Sequence, residues 1–189
     1  MRLLYLFLRM ENKEMEFQSA TRENWSLLEE LFESRGGPHT CWCMVWRKFD
    51  SAFSRSSKTD KKLALQQYVN RQVPIGIIGI HGREPVAWCS VAPRESYRNL
   101  GGDRTLTHVW SLVCFFVKRE FRNQRLTEKL IRESLALAKS NGAKYLEAYP
   151  VSADSPSYRF MGFKSTFEQL GFTFIQMAGK RRHAMIYEF

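Results

Sequence analysis

The densest group of side chains able to do chemistry in this sequence is a basic turn, Lys118-Arg119-Glu120-Phe121-Arg122-Asn123-Gln124-Arg125-Leu126-Thr127, set between an apolar run and an amphipathic one. A helix starting here leaves its first N–H groups without intrahelical acceptors, and these, with the positive end of the helix dipole, suit an anion such as a diphosphate. Arg122 and Arg125 can add charge-assisted hydrogen bonds and Thr127 a hydroxyl donor. On the turn alone, the same residues also read as an ordinary strand-to-helix crossover with a solvated basic surface.

Four cysteines are present, Cys41, Cys43, Cys89 and Cys114, and only the first two are neighbours, as C-x-C rather than the C-x-x-C of metal knuckles and redox sites. The expectation is no metal and no disulfide framework, with Cys89 and Cys114 as small buried hydrophobes inside apolar runs. A reducing cytoplasm fits that usage. The net charge of +10 is local: residues 45–72 hold seven Lys or Arg against two Asp, and residues 115–144 eight against three Glu. Such patches attract nucleic acid, an acidic membrane or a phosphorylated cofactor, or are simply a solvated basic face, and composition does not choose among these. Five Trp and fourteen Phe exclude a disordered chain, which lacks the large apolar side chains that offset conformational entropy.

Met1-Arg2 followed by Leu3 to Leu8 mimics a signal peptide but is short for one and lacks a small-residue cleavage site. No apolar run approaches the roughly 20 residues of a membrane span. Residues 1–14 are therefore expected to be a peripheral extension, with Met10 or Met15 as candidate starts, and residues 15–189 a single domain with no membrane partner.

The elements that must position the turn follow from periodicity. Glu16 to Ala20 alternates like a short strand, and Thr21 is the expected cap of a helix carrying Trp25, Leu28, Leu31 and Phe32 that ends at Gly36-Gly37-Pro38. Thr40 to Phe49 is irregular or helical, Ser51 to Asp60 a polar loop, and a helix is expected from about Lys61 to Asn70. Ile75 to Ile80 and Val86 to Val91 read as a hairpin, and Val109 to Val117 as a central strand buried on both faces. From Leu126 to Asn141 the residues Leu126, Leu130, Ile131, Leu135, Leu137 and Ala138 fall on one half of a helix. A strand at Tyr145 to Tyr149, a short helix at Lys164 to Leu170, and strands at Phe172 to Met177 and His183 to Phe189 complete the chain. The order β-α-α-β-β-β-α-β-α-β-β predicts a mixed α/β sheet.

That succession, with Phe167-Glu168-Gln169-Leu170-Gly171-Phe172 after it, resembles the GNAT acetyltransferase superfamily from about Met15 to Phe189, best over Trp110 to Phe172. The family's motif Gln/Arg-x-x-Gly-x-Gly/Ala falls on Arg122-x-x-Arg125-x-Thr127, which matches at its first position and lacks both glycines. Cys41-Trp42-Cys43-Met44 with Trp46-Arg47, Ala87 to Arg94, and Glu147 to Pro150 look like a bacterial branch of the family. The resemblance implies an α+β fold, a mostly antiparallel sheet of six to seven strands with helices on both faces. It implies acetyl-coenzyme A (acetyl-CoA) as acyl donor and a primary amine as acceptor. Phe115, Phe116 and Val117 would face the pantetheine arm at a splayed strand end, Arg122, Asn123, Gln124, Arg125, Leu126 and Thr127 the pyrophosphate, and Phe167 would lie beside the cofactor. Arg125 puts a Cβ where the family favours glycine, and so either crowds the phosphates or folds its side chain over them. A monomer or homodimer is expected.

Acetyl transfer needs a free amine, a polarised thioester carbonyl and a proton for the departing thiolate. Backbone N–H groups near Phe116 are placed to polarise the carbonyl. The strand carboxylate that some members use as base is missing, because Ser111 stands there and no acidic residue lies between His108 and Val117. His108 is the local substitute, its ordinary pKa near ~6.5 suiting proton acceptance, against the reading of a structural histidine. The tyrosine that serves members as acid is Phe167 here, which leaves Tyr158 in the preceding loop, against a tyrosine that only packs. Trp42, Trp46 and Trp110 either wall an acceptor pocket or are core. The readings, in order, are an acetyl-CoA-dependent N-acetyltransferase, a cofactor-binding protein of the same fold with weak or no catalysis, and a basic nucleic-acid-binding module, for which no recognition motif is found.

Overall fold

Apolar runs of β-branched and aromatic residues build one seven-stranded sheet in the computed structural model, which describes residues 14–49 and 56–189. The strands are β1 (Met15–Ser19), β2 (Ile77–His81), β3 (Glu84–Pro93), β4 (Val109–Val117), β5 (Tyr145–Ala148), β6 (Thr173–Ala178) and β7 (Arg182–Glu188), in the order β1-β2-β3-β4-β5-β7-β6. Every neighbouring pair is antiparallel except β4 with β5. The helices are α1 (Trp25–Glu33), α2 (Lys58–Asn70), α3 (Leu126–Ser140) and α4 (Lys164–Gln169), so the order of elements is the one periodicity predicts. A parallel pair needs a long crossover, and α3 supplies it between β4 and β5.

β4 separates two cores. Trp110, Leu112 and Phe115 join Leu130 and Ile131 of α3 and Phe167 of α4 on one face, while Ile78, Ile80 and Trp88 meet α1 and α2 on the other. Trp42 belongs to the second core: it is 1% exposed, stacked on Trp25 at 5.9 Å and tilted against Phe32 at 5.2 Å. Trp110 is buried in the first. Both rings are therefore core and not pocket walls, since burying so much apolar surface favours the shielded position. Trp46, the third candidate, lines a cavity.

Two helix starts differ from expectation. α1 begins at Trp25, because Asn24 Oδ1 accepts the Thr21 N–H at 2.7 Å and ties the entry into a turn. α2 begins at Lys58, because Ser57 and Asp60 form a capping box there: Ser57 Oγ accepts from Asp60 N at 3.1 Å, and Asp60 Oδ2 accepts from Ser57 N at 2.8 Å. The expected polar loop thus ends sooner; its residues 51–55, and all but residue 14 of the expected peripheral extension, lie outside the described residues. No helix among the described residues is long and apolar enough to cross a membrane.

The segment between α1 and α2 is held on the sheet by Arg47, 1% exposed. Its Nη2 donates to Ile75 O at 2.6 Å, Tyr97 Oη at 3.1 Å and Ser90 Oγ at 3.2 Å, and its guanidinium carbon lies 4.6 Å from the centre of the Tyr97 ring. These contacts fix where Trp46 and Cys43 stand.

Candidate active site

The opening in the sheet originates in β4. Ser90 pairs with Cys114 and Val91 with Leu112, so Val113 is an extra residue and forms a β-bulge. The parallel pairing ends at the same place, joining Val109–Leu112 to Tyr145–Ala148 and going no further. Pro150, which has no N–H to donate, follows β5, and Val151 then bridges to Phe163 and Arg182 instead. From Val113 to Val117, β4 has a strand partner only on its β3 side, and a wedge opens on the other.

Just below the wedge the strands are locked. Glu147, 2% exposed, accepts hydrogen bonds from Ser111 Oγ and Arg94 Nη2. Burial and the Glu147 carboxylate push the nearby Tyr149 phenol well above its ordinary range, so it stays protonated.

A groove of about 740 Å³ fills the wedge. Phe115, Phe116, Val117, Arg122, Asn123, Arg125, Leu126 and Thr127 form one wall; Arg159, Phe160, Gly162, Phe163 and Thr166 form the other, with Gly36 beyond α1 at the edge. Gly162 takes φ +86°, and a Cβ there would come within 2.9 Å of Phe167 and 3.3 Å of Phe115, so the floor of the groove requires glycine.

At the head of the groove lies the start of α3. Asn123 and Arg125 both take the left-handed conformation, at φ +62° and +56°, and Arg125 is the N-cap without any side chain capping the helix. The N–H groups of Leu126, Thr127 and Glu128 consequently find no acceptor among the described residues. Arg125 thus adopts a left-handed backbone geometry that favours glycine. Its side chain, 76% exposed, turns to Glu128, with Nε to Oε1 at 3.1 Å. Arg122 folds back along the wall, its Nε donating to Val117 O at 3.1 Å.

Eight of the residues expected at the cofactor are thus brought together on one wall. Gln124 does not line the groove and donates instead to Glu120 O at 3.4 Å. Phe167 is fully buried behind Gly162, its ring edge-on to Phe172 at 5.0 Å, because α4 turns this position into the core; it supports the floor without reaching it. His108 is exposed at the opposite end of β4, ~25 Å from Phe116 at roughly 3.3 Å per strand residue, and the structure does not bring it to the groove. Tyr158 does not line the groove; its ring lies 6.0 Å from Trp46 and 6.2 Å from Phe160. The wall from Arg159 to Phe163 escapes the sequence reading: the stretch has no periodicity, and Gly162, between Met161 and Phe163, is its one local signal, whereas Thr166 falls in the expected short helix.

A second cavity of about 220 Å³ opens from the groove at Phe115, Phe116 and Phe160 and is walled by Val45, Trp46, Cys41, Cys43 and Cys114. Cys114, expected to be buried, is partly exposed to this cavity one residue beyond the bulge. All four cysteines are free. Among the described residues no group of three or more potential metal ligands gathers.

A sequence model described as the acetyltransferase (GNAT) family matches residues 39–163, and the chain belongs to that family of acyltransferases. Among solved structures, the fold is similar to PaiA N-acetyltransferase from Thermoplasma acidophilum in complex with coenzyme A, at a TM-score of 0.57 and 14% identity over 93% of this chain and 99% of that one. It is similar too to the ribosomal-protein-S5-alanine acetyltransferase of Vibrio fischeri, with a TM-score of 0.57 and 11% identity over 95% of each chain. A GNAT family acetyltransferase from Brucella melitensis in complex with acetyl-CoA aligns at a TM-score of 0.50 and 12% identity over 94% of this chain and 90% of that one. No curated protein matches the sequence.

Proposed function

We propose that the chain transfers an acetyl group from acetyl-CoA to a primary amine held in the second cavity. The observation that carries this reading is that the fork in the sheet and the uncapped start of α3 meet in one groove. The free edge of β4 suits the amide-bearing pantetheine arm, and the N–H groups of Leu126 to Glu128 suit the pyrophosphate. Arg122 and Arg159 add positive charge, and Arg125 neutralises the Glu128 carboxylate that would otherwise repel the phosphates. Similar folds holding coenzyme A and acetyl-CoA support the choice of donor.

The arm runs from the head of the groove towards the bulge and stops where β4 and β5 close again at Leu112 and Ala148. The thioester then lies beside Val113 and Cys114, at the entrance of the second cavity, with its carbonyl against free N–H groups of β4. Tyr158, packed against Trp46 and Phe160 of the cavity wall, donates the proton that the departing thiolate needs. Val45, Trp46, Phe116 and Phe160 favour an acceptor whose amine is carried on an apolar body.

Acetyl-CoA at a hundredfold excess over its Kd stabilises a binder by about 2.7 kcal/mol, so a thermal upshift is expected, and Arg122→Glu should abolish it. An unchanged upshift in that variant would place the pyrophosphate elsewhere, and none in the natural chain would sink the reading. The absence of a hydroxyl at Phe167 favours a second reading, a binder with weak catalysis. It gains if acetyl-CoA binds yet no free thiol appears across a broad panel of amines.

A further inference from the structure

Trp46, whose indole walls the second cavity, belongs to a short antiparallel ribbon made of residues 46–48 and 96–98. Arg98 N–H donates to Trp46 O at 2.8 Å, Lys48 N–H donates to Ser96 O at 3.1 Å, and Arg47 stands opposite Tyr97. Side chains alternate across such a ribbon. Arg47 and Tyr97 turn inward, 1% and 2% exposed, so Trp46, Lys48 and Arg98 turn outward. The guanidinium carbon of Arg98 lies 5.7 Å from the centre of the Trp46 ring, and that of Arg182 lies 4.7 Å from it. Arg98 also lines a pocket of about 270 Å³ under the loop that joins β3 to β4. The apolar cavity and this pocket are thus neighbours across one indole.

The charge of the pocket is unbalanced. Lys48, Arg94, Arg98 and Arg104 line it against Glu95 and Glu147, and the Glu147 carboxylate is already held by Arg94 and Ser111. Lys48, Arg98, Arg104 and Arg182 form no ion pair among the described residues. Arg94 Nε, Arg182 Nη1 and Trp46 Nε1 are buried donors without an acceptor there. Uncompensated positive charge in a cleft focuses its field on an anion. We propose that the acceptor amine carries an oxyanion, a carboxylate or a phosphate, at the far end of its body, and that Arg98, with Lys48 and Arg104, binds that group. The inference rests on the acetyl-transfer reading, which puts the amine in the second cavity. The body of the acceptor then lies along Trp46, its amine on the cavity side and its oxyanion on the Arg98 side. A planar guanidinium meets either oxyanion through paired N–H groups, which makes Arg98 the residue that selects the substrate.

The test uses the full chain saturated with coenzyme A, which has no acetyl group to give, and titrates amines into it by calorimetry. Three amines share one apolar body: 4-(aminomethyl)benzoate, 4-(aminomethyl)benzylphosphonate and 4-methylbenzylamine. The carboxylate or the phosphonate amine should bind at least ~10-fold tighter than the methyl one, the size of one hydrogen bond to a charged group, and the tighter of the two names the oxyanion. The same order is expected in kcat/KM for thiol release from acetyl-CoA. Arg98→Ala removes an exposed side chain that makes no hydrogen bond within the fold, and it should bring the ratio of affinities close to one; Arg98→Lys should keep part of it. Added salt should shrink the ratio in the natural chain. If acetyl-CoA stabilises the protein but neither anionic amine binds tighter than the methyl one, the inference alone is overturned. A preference that survives Arg98→Ala undiminished overturns it too. No thermal upshift with acetyl-CoA overturns the groove reading and the inference with it.

Discussion

Two helices of this chain begin in opposite ways. α2 closes its own start, with Ser57 and Asp60 satisfying each other's backbone N–H groups. α3 leaves its start open: a left-handed arginine occupies the cap position and no side chain caps it, while Glu128, the acidic residue of its first turn, pairs with that arginine. A capping side chain contributes about 1 kcal/mol and a left-handed non-glycine residue costs ~1–2 kcal/mol, so α3 starts at a disadvantage on the order of 2–3 kcal/mol. Stability alone would favour the α2 pattern at both places. On the proposed function, the pyrophosphate supplies what the α3 start lacks.

The comparison can be broken most sharply by giving the first turn of α3 a second carboxylate, one without an arginine partner. Thr127→Glu places a carboxylate beside the free N–H groups and should weaken acetyl-CoA binding at least ~100-fold, roughly 3 kcal/mol by calorimetric titration, without lowering the melting temperature of the unliganded protein. Arg125→Gly removes the backbone strain and should stabilise the unliganded protein by about 1 kcal/mol in urea unfolding.

The smallest effect belongs to α2. Ser57→Ala should cost about 1 kcal/mol of stability and leave acetyl-CoA affinity unchanged. Hydrogen bonds from Ser57 hold the Asp60 carboxyl below its ordinary value. A depressed folded-state value stabilises above the unfolded value near ~3.9 and is lost as pH falls through the folded one, so the Ser57→Ala penalty should shrink in acid. A penalty that stays constant down to that range would show that Asp60 takes no part in the cap.

Where structure is local, it is legible in the sequence. The wall of the groove from Phe115 to Thr127 is one continuous stretch between a strand and a helix, and its apolar periodicity and basic turn locate it. The opposite wall, Arg159 to Thr166, is brought there by the Val151–Phe163 bridge and by the close fit of Gly162 on Phe115 of β4, contacts that cross between separate elements. The bulge at Val113 is equally silent, because an extra apolar residue in an apolar run leaves no mark. That bulge is why Cys114 lines a cavity where the sequence suggests core. Trp42 and Trp46 look alike in the sequence and differ in fate: Trp42 takes φ +47° and turns under α1, while Trp46 stays on the rim.

The buried carboxylate joining β4 to β5 has a mechanical consequence. Strands that part tend to go on peeling, as a split runs along timber, and Glu147 with Ser111 and Arg94 acts as a rivet at the tip of the crack. The depth of the opening is then constant, and the protein becomes a gauge of length. A donor with a longer acyl chain would have to send its extra carbons sideways among the thiols instead of deeper into the sheet.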